Sequence, residues 1–477
     1  MSRIEGEGLR VTALRAPLPG IMNLASDYAT WLGATQGEDA AETSAAVAGE
    51  EPEWIVSDHY ALDVRWETQL RAHTRNLMVI DDLANRTHAC DLLLDQNFYP
   101  TANERYASLV PPSCRLMTGP TYALLRPEYA QHRCSHPPLR DSLRRVFIFF
   151  GGSDPHNLTG AALEALSHPS LRHLMVDVIV GVNNPHRLQL ERQAAERPNT
   201  ALHGPLAHLA GLLSRADFAI GAAGTTTWER MCLGVPSLVV CVAENQRSGA
   251  EALAREGMIL YLGNEHDAGV GSFVSAMERV VAGVEDLSTQ ALRGWLAVDG
   301  LGAVRVAECL DPTEPQVLKL RDAQPGDAAL FFGWANDPQV RRQSLNTAII
   351  PWPAHRQWFE ARIADEHSRM FVLEARSLPV GQIRFDIEAG EVRISYSLDV
   401  QCRGRGWARI LVGLGMDRMA ALGRMVFRAE LKKTNTASAA VFRRLGFLES
   451  PLAEREDVTV FRFDSGSGAP AESYYEN

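Results

Sequence analysis

The sequence contains no apolar run that approaches the roughly 18 to 20 residues needed to span a membrane. Its N-terminus also lacks the apolar stretch of a signal peptide. The seven cysteines are scattered without Cys-x-x-Cys spacing, which favours reduced thiols over a disulfide framework or a zinc site. No basic tract is longer than a pair such as Arg144-Arg145, so we expect neither a nucleic-acid groove nor a polybasic membrane patch. These absences predict a cytoplasmic protein that has neither nucleic acid nor membrane as a partner.

The composition is that of an ordinary folded protein. Of the 477 residues, 46% are hydrophobic and 22% are charged, and this length predicts about three domains. The net charge of −11 repels an anionic substrate. Such a substrate must therefore be held by local backbone N–H groups.

Apolar runs alternate with helical patterns along three segments, which predicts α/β folding throughout. The segments are residues 1–135, 140–311 and 316–464, and the tail 465–477 is predicted to be disordered. An acidic stretch, residues 36–53, is expected to be a poorly ordered surface excursion. The strands predicted for the first two segments are Leu9–Leu14, Trp54–Ser57, Leu77–Ile80, Asp91–Leu94, Val146–Phe150, Met175–Val180, Phe218–Gly221 and Ser237–Val242. The last four are nearly continuous apolar runs, which is typical of parallel strands buried on both faces.

Two strand-to-helix junctions in the second segment have the composition of phosphate-binding loops. In the first, a strand ends at Gly151-Gly152-Ser153-Asp154, and Pro155 is expected at the first helical position. In the second, Gly221–Gly224 precedes Thr225-Thr226-Thr227, and Glu229 lies one turn inside a helix, where a carboxylate can accept from two ribose hydroxyls. Glycines permit close backbone approach, and helix N-termini supply unpaired N–H groups. Either loop alone could equally be an N-cap and a tight turn, but the pair favours a nucleotide site.

A series of motifs in residues 54–310 carries a resemblance to a known family. They are WIVSDHYALDVRWE (54–67), IDDLANRTHACDLLLDQN (80–97), GPTYALLRPEY (119–129), FFGGSDPHN (149–157), GTTTWER (224–230), AENQ (243–246) and VDGLGAVRV (298–306). This part of the chain resembles the UDP-sugar hydrolases of pseudaminic acid biosynthesis, which have a GT-B-like architecture. The resemblance implies a pair of Rossmann-type domains, the first of them incomplete. It also implies that water attacks the anomeric carbon and UDP is released, with no metal.

The same resemblance implies roles for individual residues. It places UDP binding on Gly152, Ser153, Thr225, Thr226 and Glu229. It places catalytic roles on Tyr60 and Asn245. Considered without the resemblance, Tyr60 would be a buried packing residue and Asn245 part of a turn.

The family's catalytic histidine is missing from this sequence. Family members begin with a strand followed by Gly-x-Gly-His-x-x-Arg, and that histidine activates the water. None of the 14 histidines here follows a glycine, and Leu9 stands where the histidine would fall after Gly6-Glu7-Gly8. Two explanations stay open: the start codon is assigned too late, or the chain is truncated. We expect the chain as given to hydrolyse slowly or not at all. His59 and His88 are candidate substitutes, although a strand end and a surface loop are their ordinary interpretations.

The third segment resembles another family. Strands are predicted at Met370–Ala375, Gly381–Asp386 and Glu391–Leu398, followed by Gln401-Cys402-Arg403-Gly404-Arg405-Gly406 and then by NTASAAVFRRLGF (435–447). These features resemble the GNAT acetyltransferase superfamily, whose α+β domain uses acetyl-CoA. The resemblance implies acetyl-CoA binding by Gln401, Arg403, Gly404, Arg405, Gly406 and Asn435. Glycines there let N–H groups face the pyrophosphate, and the arginines can add charge-assisted contacts.

The general acid of the acetyltransferase is not where many family members have it. This chain carries Phe442 at the position where many members have a tyrosine that protonates the leaving thiolate. Tyr396 is the candidate catalytic replacement, and a packing role is its alternative. Asp386 and Glu391 are possible general bases.

Together the two resemblances predict a bifunctional enzyme of pseudaminic acid biosynthesis, a pathway that decorates bacterial surface structures such as flagella. One half acetylates the 4-amino group of a UDP-amino sugar with acetyl-CoA as co-substrate, and the other removes UDP from the product. Joining consecutive steps on one chain raises the local concentration of the intermediate. Two alternatives are an acetyltransferase with a non-catalytic UDP-sugar-binding module, and a GT-B glycosyltransferase fused to an unrelated acetyltransferase.

Overall fold

The computed structural model describes residues 2–14, 28–134, 142–310, 317–376, 378–388, 390–452 and 455–467. The chain divides into two compact units: unit 1 contains residues 1–133 and 137–311, and unit 2 contains residues 134–136 and 312–477. Within the described ranges, no helix combines the length and the apolar character that a bilayer crossing requires.

Unit 1 contains two parallel sheets, and the first has four strands arranged in chain order. Its strands are β1 (Trp54–Ser57), β2 (Asn76–Ile80), β3 (Leu92–Asp95) and β4 (Arg115–Thr118). The helices of this part of the chain are α1 (Ser2–Gly6), α2 (Gln36–Ala46), α3 (Val64–Leu70) and α4 (Pro127–His132). Leu77, Val79 and Leu93 share one buried cluster with Trp66 and Leu70 of α3. Alternate strand residues thus pack on the helix that connects β1 to β2.

The second sheet of unit 1 has six parallel strands in the order β7-β6-β5-β8-β9-β10. They are β5 (Arg145–Phe149), β6 (Met175–Ile179), β7 (Thr200–His203), β8 (Phe218–Ala222), β9 (Ser237–Cys241) and β10 (Leu260–Asn264). The associated helices are α5 (Leu158–Ala165), α6 (Arg187–Glu196), α7 (Ala210–Leu213), α8 (Thr226–Cys232), α9 (Glu244–Arg255), α10 (Val270–Val281), α11 (Leu287–Ala297) and α12 (Gly302–Leu310). Ile148 and Phe147 belong to different buried clusters, because successive residues of β5 point to opposite faces. Both faces are covered, as the continuous apolar runs predicted.

The direction in which the second sheet grows reverses between β5 and β8. Strands β6 and β7 extend the sheet on one side of β5, and β9 and β10 extend it on the other side of β8. Connections that leave such a pair of strands run to opposite faces, so a crevice opens at their carboxyl ends. The two glycine-containing loops predicted to bind phosphate follow these two strands.

Seven of the eight strands predicted for unit 1 are confirmed, each to within one residue at either end. The prediction of a strand at Leu9–Leu14 is wrong. Leu9 and Leu14 are 62% and 38% exposed, and no strand of the described residues pairs with this segment. A strand without a neighbour leaves its backbone groups unpaired, so the apolar residues alone did not justify the assignment.

The prediction of poor order for residues 36–53 is also wrong over α2. Thr35 and Glu38 form a capping box: the Thr35 hydroxyl accepts from the Glu38 N–H at 3.2 Å, and the Glu38 carboxylate accepts from the Thr35 N–H at 2.9 Å. Ala40 is buried, and Asp39 accepts from the Trp66 indole at 2.7 Å. The Thr-x-x-Glu spacing in the sequence indicates this helix start.

The helix after β5 begins later than predicted. Pro155 lies in a turn, and α5 starts at Leu158. The buried carboxylate of Asp154 accepts from the N–H groups of Leu158 and Thr159, at 2.9 Å each. These first N–H groups of α5 are therefore bonded within the protein.

Unit 2 is built on one seven-stranded sheet in the order β11-β12-β13-β14-β15-β17-β16. Its strands are β11 (Leu318–Asp322), β12 (Ser368–Ala375), β13 (Leu378–Glu388), β14 (Glu391–Leu398), β15 (Val426–Lys432), β16 (Leu448–Leu452) and β17 (Arg455–Asp464). The helices are α13 (Ala328–Asn336), α14 (Pro338–Gln343), α15 (Trp352–Ala364), α16 (Trp407–Ala420) and α17 (Thr436–Arg444). The three predicted strands are confirmed, two of them with longer bounds.

Strands β14 and β15 are the parallel pair of this otherwise antiparallel sheet. They pair from Glu391 opposite Val426 to Arg393 opposite Arg428, and no pairing is found beyond that point in the described residues. The sheet therefore opens between the later parts of these two strands. Of the tail predicted to be disordered, Ser465–Ser467 forms a 3-10 turn, and residues 468–477 lie outside the described residues.

Candidate functional site

A cavity of about 270 Å³ lies in unit 1 where the carboxyl ends of both parallel sheets meet. The residues that line it follow β1, β2 and β3 of the first sheet and β8 and β9 of the second. They include Tyr60, Asp82, Asn97, Tyr99, Thr225 and Asn245. Three residues assigned from the sequence, Tyr60, Thr225 and Asn245, thus lie around one space.

Tyr60 and Asn245 join the two sides of this cavity. The Asn245 side-chain amide donates to the Tyr60 hydroxyl at 3.3 Å. The Tyr60 ring packs against Tyr28, with ring centroids 4.8 Å apart. Burial, and then the charge of Asp82, raise the pKa of Tyr60, so its hydroxyl stays protonated at neutral pH.

The predicted phosphate-loop residues follow β5 and β8, at the carboxyl ends of these two strands. Gly152, Ser153 and Thr225 are exposed there, and Thr226 begins α8. Of these four, Thr225 lines the cavity itself. Because Asp154 already accepts from the Leu158 and Thr159 N–H groups, the start of α5 is not open to a phosphate.

Glu229 has the environment expected for a ribose ligand. Its oxygen Oε2 is buried and has no hydrogen-bond partner among the described residues. Burial raises the pKa of Glu229, whereas the Tyr129 hydroxyl and the neighbouring Arg230 lower it. A buried acceptor without a donor is costly, so a ligand hydroxyl that donates to it gains affinity.

Arg230 ties the start of α8 to the end of β8. Its fully buried guanidinium donates to the Ala222 carbonyl at 2.9 Å and to the Thr227 hydroxyl at 2.8 Å. Burial lowers the pKa of Arg230 to about 10. A β-carbon on Gly221 would lie 2.4 Å from the Phe149 carbonyl oxygen and 2.7 Å from Arg230 Nη1, which explains the glycine.

Neither candidate substitute for the missing histidine lines the cavity. His88 is not a surface-loop residue, because it is buried with Nδ1 2.6 Å from Glu67 Oε1. His59 accepts from the Ala61 N–H at 3.1 Å, and burial lowers its pKa. The described residues contain no group of three or more His, Cys, Asp or Glu side chains placed to hold a metal ion.

Unit 2 contains a larger cavity of about 690 Å³ at the opening between β14 and β15. Tyr396, Arg403, Gly404 and Asn435 line it, whereas Gln401, Arg405 and Gly406 do not. Gly404 and Gly406 have φ angles of +79° and +77°, and β-carbons built on them would meet no atom within 4 Å. This open turn before α16 fits a pyrophosphate that approaches the backbone closely.

The two arginines of this turn differ in whether their guanidinium groups are free to contact a phosphate. The Arg403 guanidinium is bonded within the protein, to the Leu398 carbonyl at 3.1 Å and to the Asp337 carboxylate at 3.0 Å. Arg403 thus helps to hold the turn, and its contact with a phosphate stays a prediction. Arg405 is exposed and lies over the Trp407 ring at 5.2 Å, free to approach a phosphate.

Asn435, Phe442 and Tyr396 are part of α17 or contact it. The Asn435 side chain accepts from the Ser438 N–H at 3.2 Å and caps the helix, and the Tyr396 hydroxyl donates to the Ser438 hydroxyl at 3.0 Å. Burial raises the pKa of Tyr396 to about 12. Phe442 is fully buried, with its ring centroid 5.9 Å from that of Tyr396.

Comparison with known proteins finds similarities for both parts of the chain. Residues 318–448 match the family described as acetyltransferase (GNAT) domain. The chain is 29% identical over 197 residues to the spore coat polysaccharide biosynthesis protein SpsG of Bacillus subtilis, which covers 41% of this chain and 58% of SpsG. It is 28% identical over 205 residues to the UDP-2,4-diacetamido-2,4,6-trideoxy-beta-L-altropyranose hydrolase of Campylobacter jejuni, covering 43% of this chain and 72% of that protein.

The chain joins a hydrolase-like N-terminal unit to a GNAT acetyltransferase domain. The predicted fold class, parallel α/β sheets followed by a GNAT domain, is confirmed. The chain spans less than two thirds of the length of SpsG. Among solved structures, spermidine N-acetyltransferase from Vibrio cholerae with CoA and spermine has a TM-score of 0.29 and 16% identity, covering 31% of this chain and 96% of that one.

The GNAT domain contains a polar wall that sequence reasoning missed. Arg384 and Arg393 line the cavity from β13 and β14, and the Arg384 guanidinium lies 4.9 Å from the centroid of the Trp358 ring of α15. Glu430 lines it from β15. The two possible bases named from the sequence, Asp386 and Glu391, are not lining residues. The sequence pattern that could have indicated this wall is the alternation along β13, where the polar residues Gln382, Arg384 and Asp386 share one face of the strand.

Proposed function

We propose that this chain is a bifunctional enzyme that acts on UDP-linked amino sugars. The GNAT domain acetylates the 4-amino group of a UDP-amino sugar with acetyl-CoA. The hydrolase-like unit then releases UDP from the acetylated sugar, in the sequence of reactions that leads to pseudaminic acid. The Campylobacter jejuni relative, whose name states hydrolysis of a UDP-linked diacetamido sugar, supports this assignment.

The observation that carries the hydrolase proposal is the crevice between β5 and β8. Gly152, Ser153 and Thr225 are exposed in the loops that follow these two strands, and Glu229 of α8 has a buried oxygen without a partner among the described residues. In the reaction, a bond forms between the water oxygen and the anomeric carbon. The bond from that carbon to the phosphate oxygen breaks, and its electron pair leaves with UDP. Backbone N–H groups at the crevice stabilise this developing charge.

The acetyltransferase proposal is carried by the open turn at Gly404 and by the polar wall opposite it. The turn suits the pyrophosphate of acetyl-CoA. Arg393 has no ion-pair partner within the described residues. Arg384 forms an ion pair with Asp386, with Nε 2.9 Å from Oδ2. Guanidinium groups favour an acceptor that carries phosphate and disfavour a polycationic amine. A UDP-linked amino sugar meets that requirement.

The acyl transfer can be followed through the residues of this domain. The acceptor amine attacks the thioester carbonyl, an N–C bond forms, and the C–S bond breaks with release of the thiolate. We propose that Tyr396 supplies the proton to that thiolate, since its raised pKa keeps the hydroxyl protonated. Glu430 is half-buried at the cavity wall, 2.6 Å from Arg428, and is the proposed acceptor of the amine proton.

The test is a stepwise assay with the whole chain and a UDP-linked 2-acetamido-4-amino-2,4,6-trideoxy sugar. Release of the CoA thiol reports acetylation, and release of UDP reports hydrolysis. We expect thiol release first, followed by slow release of UDP, because the sequence lacks the family's histidine motif. Thiol release without any UDP would instead support an acetyltransferase with a UDP-sugar-binding module. UDP release that depends on an added sugar acceptor would support the glycosyltransferase alternative.

A further inference from the structure

The arginines of the polar wall in the GNAT cavity lie beside a single buried carboxylate. Arg384 of β13 and Arg393 of β14 both line the cavity. Asp386 is opposite Arg393 in the strand register, but its Oδ2 pairs with Arg384 Nε at 2.9 Å. Its Oδ1 lies 3.9 Å from Arg362 of α15, which pairs with Asp365 at 3.2 Å. With Arg362 and Arg384 paired in this way, the positive charge of Arg393 is in excess.

Arg393 is the arginine of this wall whose donors are free. It is half-buried, and its guanidinium forms no hydrogen bond or ion pair within the part of the chain that the structure describes. Arg384, in contrast, is held between Asp386 and the Trp358 ring. Burial lowers the pKa of Arg384, Asp386 raises it, and the charges of Arg362 and Arg393 lower it again. Like charges repel at this spacing, so an anion that contacts both wall arginines is favoured.

The position of Arg393 along β14 separates it from the turn that we assign to acetyl-CoA. That turn contains Gly404 and follows the end of β14 at Leu398. Arg393 lies five residues before Leu398, and a strand rises about 3.4 Å per residue, so about 17 Å of strand lies between them. One diphosphate cannot contact both ends. The anion that fits Arg393 is therefore not the pyrophosphate at the turn.

The proposed proton donor, Tyr396, lies between these two ends of β14. It is three residues from Arg393, which is about 10 Å along the strand. The thioester must reach Tyr396 from the turn, so the space beside Arg393 is left to the acceptor. In a UDP-linked 4-amino sugar, the amine and the anomeric oxygen are on opposite sides of the sugar ring. The diphosphate thus begins one ring away from the reacting nitrogen, which suits the spacing of Tyr396 and Arg393.

We propose that Arg393 binds the diphosphate of the acceptor and determines that the GNAT domain prefers a nucleotide-linked amine to a free amino sugar. This proposal rests on the acetylation of a UDP-linked amino sugar proposed above. The acceptor amine then points to Tyr396 and its diphosphate to Arg393, while Arg384 adds a second, fixed positive charge. A guanidinium group suits this role because it can bind two phosphate oxygens at once.

The first test is Arg393→Gln, which removes the charge and keeps a side chain that can donate. Its matched control is Arg418→Gln, the same change at an exposed arginine of α16 that does not line the cavity. Thiol release is measured with the UDP-linked 4-amino sugar and with the same amino sugar without the nucleotide. Acetyl-CoA affinity is measured by calorimetry.

We expect Arg393→Gln to raise KM for the UDP-linked sugar by about 10- to 150-fold, the loss of one hydrogen bond to a charged group. The kcat for that sugar, the kcat/KM for the free amino sugar and the acetyl-CoA affinity should stay at the values of the parent chain. Arg393→Lys keeps the positive charge and should recover part of the lost affinity. The control should match the parent in every measurement.

A second test uses the parent chain alone and does not depend on the folding of a variant. UDP should inhibit thiol release in competition with the acceptor and not with acetyl-CoA. Uridine, which lacks the diphosphate, should inhibit at least about 10-fold more weakly. Equal inhibition by uridine would contradict a diphosphate contact. Competition of UDP with acetyl-CoA would place the anion at the Gly404 turn and would also overturn the proposal.

The outcomes separate this proposal from the function on which it rests. If the parent chain does not acetylate the UDP-linked sugar, the proposed function fails, and the role of Arg393 fails with it. If the parent does so and Arg393→Gln has the same KM, only the role of Arg393 is wrong. A lower kcat at unchanged KM also contradicts it, because binding would then be unaffected. If Arg393→Gln loses acetyl-CoA binding, the comparison of UDP with uridine decides.

Discussion

Replacing Glu229 by glutamine gives a direct test of the nucleotide site. The buried oxygen Oε2 of Glu229 has no partner among the described residues, and the ribose hydroxyls of UDP are the proposed donors to this carboxylate. Glutamine keeps one oxygen and the side-chain shape but places an NH₂ group where the second acceptor stood. The substitution thus removes one hydrogen bond to a charged group without opening a cavity.

The expected size of the effect follows from that single bond. A hydrogen bond to a charged group contributes about 1.5–3 kcal/mol, so UDP should bind roughly 10- to 150-fold more weakly. The stability of the folded protein should not fall with the loss of UDP affinity. Burial raises the pKa of Glu229 in the folded state, so its stabilising contribution is present at low pH and is lost as pH rises through that value. At neutral pH, Glu229→Gln should therefore be at least as stable as the parent chain.

Calorimetric titration with UDP and with 2′-deoxy-UDP measures this directly. The parent chain should prefer UDP, and Glu229→Gln should lose part of that preference. Glu164→Gln, an exposed acid on α5, is the matched control and should change neither affinity. Equal UDP affinity of the parent and Glu229→Gln would refute the ribose role, and a destabilised variant at neutral pH would refute the electrostatic reasoning.

Three further predictions concern the GNAT domain and α2. Gly404→Val should abolish acetyl-CoA binding in calorimetry. The control Gly390→Val, at a similarly positive φ of +86° with open space around it, should have the same backbone strain of about 1–3 kcal/mol and still bind acetyl-CoA. Equal loss of binding in both variants would make backbone strain the cause. Tyr396→Phe should lower the rate of thiol release, and full activity across the pH range would reduce Tyr396 to packing. Thr35→Ala should cost about 0.5–2 kcal/mol in urea unfolding by removing the cap of α2, and an unchanged midpoint would contradict the cap.

The sequence predicted the parallel strands of unit 1 well, because their signal is local. Runs such as residues 146–150 and 218–221 are apolar on both faces and end in glycine, so their type and bounds can be determined without knowledge of their neighbours. The segment Leu9–Leu14 also contains apolar residues, but no strand among the described residues pairs with it. Pairing is a non-local property, so composition alone could not separate the two cases.

The candidate sites were predicted where glycine loops or motifs mark them, and missed where tertiary contacts create them. The open turn at Gly404 and the loops around Gly152 and Thr225 could be found from spacing. Asp82 and Glu430 could not, because only the folded chain shows which of many carboxylates face a cavity. Whether a side chain is free to bind a ligand also depends on contacts that are distant in sequence.

The measurement that tests the central claim most directly is a time course of phosphorus NMR on the whole chain with the UDP-linked 4-amino sugar. One sample contains acetyl-CoA and the other does not. If the two units catalyse consecutive reactions, free UDP appears in the sample with acetyl-CoA and lags behind acetylation, and the sample without it keeps its sugar nucleotide. Free UDP at the same rate in both samples, or no acetylation of the sugar nucleotide in the sample with acetyl-CoA, would contradict the account.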